Sequence, residues 1–110
     1  MLSFDQINVY LRNIVNFFCE QTQSVASIES GKDYLSIDEI KEVIKNHPGV
    51  LTCFGKDEKI DCYRYKINEE EEIIEINLNF DGKKSDMVMV IHVVQEDGNL
   101  TGGIVDVKVP

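Results

Sequence analysis

The chain has 110 residues, 43% of them apolar and 28% charged, which is enough to bury one core and too little for two independent domains. Twenty Asp and Glu against eleven Lys and Arg give a net charge of -9; a surplus of that sign repels phosphate backbones and anionic lipid, which argues against nucleic acid or a membrane as partner. No apolar run approaches the ~20 residues needed to span a bilayer and the first residues carry no basic leader, so the expectation is one cytoplasmic domain over residues 1–110.

Ser3 followed by Gln6 is a capping-box pattern. Ile7, Leu11, Ile14, Val15 and Phe18 then recur at helical spacing, with Tyr10 and Phe17 widening the stripe, which predicts a core helix from about Phe4 to Ser24. Residues 27–33 lack periodicity and read as a connection. Ser36 with Glu39 makes a second capping box, and Ile37, Ile40, Val43 and Ile44 form one face of a short helix that stops before Pro48.

From Val50 the period becomes twofold and turn-forming clusters punctuate the chain. The expected strands are Val50–Phe54, Ile60–Ile67, Glu72–Phe80, Met87–Gln95 and a last one over Ile104–Val109, with turns at 55–59, 68–71, 81–86 and 96–99. In the third strand Ile74, Ile76, Leu78 and Phe80 point one way and Glu75, Asn77 and Asn79 the other, so one face is core and the opposite face polar. The continuous apolar run Met87–Ile91 marks the fourth strand as central, and Gly102-Gly103 suggests a bulge in the last. The predicted class is α+β, with two N-terminal helices packed on one face of a four- to five-stranded antiparallel sheet.

No nucleophile with a base, paired catalytic carboxylates, metal cluster or phosphate cradle is legible. No cofactor and no metal are expected, and the chain reads as a binding protein rather than an enzyme. His92 reads as a hydrogen-bonded structural residue and His47 as a cation at a helix C-terminus. Cys19, Cys53 and Cys62 are odd in number and lack CxxC spacing, so reduced thiols are expected, with Cys53 and Cys62 near one another on adjacent strands.

The densest charge feature is Glu69-Glu70-Glu71-Glu72, followed by Glu75. It is either a solvated hairpin turn or an acidic patch that steers and holds a basic partner. Grouped with Asn77, Asn79, Asp81, Asp86, Glu96 and Asp97, these residues form the candidate partner-binding surface. A ligand pocket between the first helix and the sheet, lined by Tyr10, Tyr63, Tyr65 and His92, and a homo-oligomeric adaptor are the alternatives.

The segment Gly82-Lys83-Lys84-Ser85-Asp86-Met87-Val88-Met89 resembles a family of small bacterial domains in which a Gly-basic-Ser-Asp turn leads into an apolar strand. That resemblance implies architecture and carries no activity. In size and acidity the chain is also similar in type to the bacterial immunity proteins that neutralise nuclease toxins, which implies a basic toxin domain as partner and transfers no residue.

Overall fold

The computed structural model describes residues 3–20 and 33–109. It holds two helices, α1 (Phe4–Glu20) and α2 (Ile37–Lys45), followed by four strands, β1 (Cys62–Asn68), β2 (Glu71–Phe80), β3 (Lys83–Glu96) and β4 (Asn99–Lys108). The strands form one antiparallel sheet in the order β1-β2-β3-β4, a simple meander. The part of the first expected helix beyond Glu20 lies outside the described residues.

Both helix starts follow from their caps. Ser3 Oγ accepts from Gln6 N at 3.3 Å, while the Gln6 side chain leaves the cap and donates to Gly98 O at 2.8 Å. At α2 the box is complete: Ser36 Oγ accepts from Glu39 N and Glu39 Oε1 accepts from Ser36 N, each at 3.1 Å. After α2, the His47 ring stacks on Phe80 with centroids 4.0 Å apart.

The stripe Ile7, Tyr10, Leu11, Ile14, Val15 and Phe18 of α1 is buried, and so are Ile74, Ile76, Leu78 and Phe80 of β2, Met89, Ile91 and Val93 of β3, and Ile104 and Val107 of β4. These side chains make one hydrophobic cluster, joined by Ile40 of α2. At ~25 cal/mol per Å² of apolar area, such burial is the main stabilising term of the fold. The opposite β2 set, Glu71, Ile73, Glu75, Asn77 and Asn79, is half-buried.

Two of the three tight turns between strands use the geometry that matches strand twist. Asp81 (φ 53°) with Gly82 (77°), and Asp97 (φ 52°) with Gly98 (81°), each place two residues at positive φ, so Phe80 pairs with Lys83 and Glu96 with Asn99. The Lys83–Asp86 stretch expected as turn is therefore strand. Two asparagines on one side of α1 hold the irregular chain before β1. Asn16 accepts from Phe54 N and donates to Phe54 O, and Asn8 accepts from Ile60 N and donates to Glu58 O. These bonds satisfy backbone groups that no ladder reaches.

Several expectations are corrected. The strand placed at Val50–Phe54 is a single bridge, Leu51 to Phe80, because the chain then turns away to meet α1. The bulge lies at Val105: Val90 pairs with Asp106 and Ile91 with Ile104. Gly102 serves another purpose, since a Cβ there would stand 1.9 Å from the His92 carbonyl oxygen at φ +141°. The thiols are not all reduced either. Cys19 and Cys53 form a disulfide with Cα atoms 5.5 Å apart, and Cys62 is the free cysteine. The asparagine clamp on Phe54 brings Cys53 to the last turn of α1, a contact that spacing does not reveal.

Candidate interaction surface

In a meander, the β1–β2 and β3–β4 turns fall at the same end of the sheet, and the β2–β3 turn at the other. Gln95 N donates to Glu70 O at 2.8 Å, which brings the first two turns together. Glu69, Glu70, Glu96 and Asp97 are all exposed at that end. The Gln6–Gly98 bond adds the first turn of α1, with Asp5, to the same end. Lys66 Nζ meets Glu69 Oε1 at 2.7 Å, and its ammonium holds the Glu69 carboxyl below the usual glutamate range.

Other members of the expected surface lie elsewhere. Glu72 faces the buried side at 4% exposure and accepts two bonds from Arg64, from Nε at 2.6 Å and from Nη2 at 2.7 Å. The hydrogen bond to Glu72 raises the Arg64 pKa above its ordinary value, so this carboxylate is matched internally. Asp81 Oδ1 accepts from Val50 N at 3.0 Å in the opposite turn, and Asp86 stands near that end. Asn77 donates to Ser85 O at 3.0 Å. Asn77 and Asn79 border a shallow cavity of about 180 Å³ with Lys84.

Across the polar face, the antiparallel register sets Tyr63, Glu75, Val90 and Asp106 in one row and Tyr65, Ile73, His92 and Gly103 in the next. Val90 is buried even though it lies on this face. Glu71 can only accept, so His92 Nε2 donates to Glu71 Oε2 at 3.2 Å, and Nδ1 shares a hydrogen bond of 2.6 Å with the Tyr34 hydroxyl. Both ring nitrogens are thereby occupied in a structural network.

β1 borders the sheet with nothing paired to its outer edge among the described residues. Its side chains Tyr63, Tyr65 and Ile67 are 70%, 52% and 54% exposed. Residue type alone places such groups in a core; the missed signal is that Cys62-Tyr63-Arg64-Tyr65-Lys66 alternates ring against cation, as a border strand does. The four residues of the expected pocket do not converge. Tyr10 is buried in the core cluster, Tyr63 and Tyr65 are exposed on β1, and Ile7, Leu11, Ile14 and Val15 leave almost no exposed surface on the inner side of α1.

Burial raises the Cys62 thiol above its ordinary 9.0. Among the described residues, no group of three or more His, Cys, Asp or Glu side chains is placed to hold a metal ion. No described helix is long and apolar enough to cross a membrane.

The arrangement defines a small α+β domain whose notable surface is an aromatic strand edge beside a carboxylate-rich end. Residues 12–110 match the model of a domain of unknown function, DUF7668, and the chain belongs to that family. No curated protein and no solved structure matches it.

Proposed function

We propose that the domain is an immunity- or antitoxin-type inhibitor that docks a basic, nuclease-like toxin and covers its active site. The reading takes both helices to lie on one face of the sheet, leaving the face of Glu75, Asn77 and Asn79 and the β1 border open to a partner. The observation that carries it is the exposure of Tyr63, Tyr65 and Ile67 beside Glu69 and Glu70. Tyrosines are frequent anchors of protein interfaces because they bury a large rigid surface at low entropic cost. The carboxylates steer a basic surface toward them. Asp81 and Asp86 fall outside this zone, and Glu72 is spent on Arg64.

The test is affinity capture from the protein's own host, comparing wild type with the Tyr63→Ser/Tyr65→Ser and Glu70→Lys/Glu96→Lys variants. The expected result is a basic protein retained by wild type, lost from both variants, and bound more slowly as salt rises. A retained set unchanged by either variant refutes the reading. A second reading, pairing of two copies through β1, is favoured by the same unpaired edge. Light scattering that shows a dimer abolished by Tyr65→Ser selects it.

A further inference from the structure

A groove of about 470 Å³ opens where the last turn of α1, the C-terminal half of α2 and the chain after α2 meet. Its floor is apolar, built from Phe18, Ile44, Val50 and Leu51, and Lys41 and Lys45 stand at its border. The arrangement follows from the sequence: positions 41, 44 and 45 share one side of a helix, with Lys41 and Lys45 one turn apart beside Ile44. The Cys19–Cys53 disulfide ties the last turn of α1 to the segment that supplies Val50 and Leu51, so one wall is covalently fixed.

Two features mark this groove as more than a surface crease. Val50 is 73% exposed, the most exposed large apolar side chain described. Lys41 and Lys45 make no hydrogen bond or ion pair among the described residues, in a chain with twenty Asp and Glu. An apolar floor of this volume with a few charged groups at its margin is the common form of a small-molecule site. The charges are cationic, so the ligand they complement has an anionic head, and the floor demands an apolar tail.

We infer that this groove binds a free amphipathic anion, a medium-chain carboxylate or its close relative, with the tail on Phe18, Ile44, Val50 and Leu51 and the head between Lys41 and Lys45. The site lies away from β1 and the carboxylate end, and it stands whether or not the proposed partner reading does. Binding is non-covalent, and the head keeps its charge.

Titration of the full chain with decanoate, followed by methyl NMR, tests the inference. The expected result is saturable shifts confined to Ile44, Val50 and Leu51. Affinity should fall about tenfold or more, equivalent to ~1.4 kcal/mol, when Lys41→Gln and Lys45→Gln are combined, or when decanol replaces decanoate. Val50→Asp, at an exposed position, should abolish the shifts with the fold intact by circular dichroism. Absence of saturable shifts below the micellar range overturns the inference, as does equal binding of decanol and decanoate. Binding to phosphatidylglycerol vesicles without binding to decanoate overturns it as well, because the lysines would then be reading a lipid surface.

Discussion

Replacing Arg64 by Met isolates the cost of an unmatched buried charge. Glu72 is 4% exposed and its two oxygens accept from Arg64 at 2.6 and 2.7 Å. Breaking a buried pair from one side typically costs 3–5 kcal/mol because the remaining carboxylate has lost water without compensation. Two features lower that figure here: the Arg64 side chain is 28% exposed, and Lys66 stands opposite Glu72 in the register. The expected loss is about 2 kcal/mol, which for a domain of this size lowers Tm by roughly 8–10 °C. Urea unfolding followed by far-UV circular dichroism measures it. The double variant Arg64→Met/Glu72→Met removes both charges and should return to within about 1 kcal/mol of wild type, since an apolar pair of similar volume replaces the ion pair without its desolvation cost. An Arg64→Met loss under about 0.5 kcal/mol, or a double variant no more stable than the single one, refutes the argument.

Reducing the Cys19–Cys53 disulfide, which spans a sequence separation of 34, should cost about 3–4 kcal/mol through the freed entropy of the unfolded chain. Thermal scans with and without dithiothreitol measure the loss, and thiol titration of the unreduced, unfolded chain should find one thiol; three would refute the pairing. Gly102→Ala should prevent stable folding or cost more than about 3 kcal/mol, because the added carbon meets the His92 carbonyl at 1.9 Å; a near-native unfolding midpoint disproves the close approach. Burial raises the Cys62 pKa from 9.0, so the folded chain holds this proton more tightly than the unfolded one. Its stabilising contribution is present below the ordinary value and is lost as pH rises through the raised one. Stability of Cys62→Ala should therefore fall less than that of wild type above pH 9. Tyr34→Phe should cost about 1 kcal/mol by removing the bond to His92 Nδ1, with a matching change in the ring's nitrogen shifts; an unchanged spectrum argues against that bond.

Much of the fold is legible because two local signals dominate it. The Ser36-to-Glu39 box and the Ile37, Ile40, Val43, Ile44 spacing mark α2, and the alternation from Ile74 to Phe80 marks the faces of β2. What escapes is whatever depends on distant backbone. The Val50–Phe54 run has strand composition, but Asn16, 38 residues upstream of Phe54, takes both its N–H and C=O and turns the chain aside. The same clamp brings Cys53 to Cys19. The candidate surface is half legible. Glu69, Glu70, Glu96 and Asp97 converge because a meander returns alternate turns to one end, whereas Asp81 and Asp86 are carried to the other. Glu72 looks identical to its three neighbours in sequence, and only strand parity turns it inward to Arg64.

The simple meander also has a consequence for synthesis. Each strand pairs with the one just translated, so the sheet zips up hairpin by hairpin, and such short-range closure favours rapid assembly. The cluster around the apolar stripe of α1 is completed more slowly: Ile40 and Phe54 are made first, and the β4 residues that join it, Ile104 and Val107, leave the ribosome more than eighty residues after the stripe. At roughly 5–20 residues per second, that interval is on the order of 4–18 s. During it, the cover over Ile7, Leu11 and Ile14 stays incomplete, so the last strand to be made is the one that closes the core.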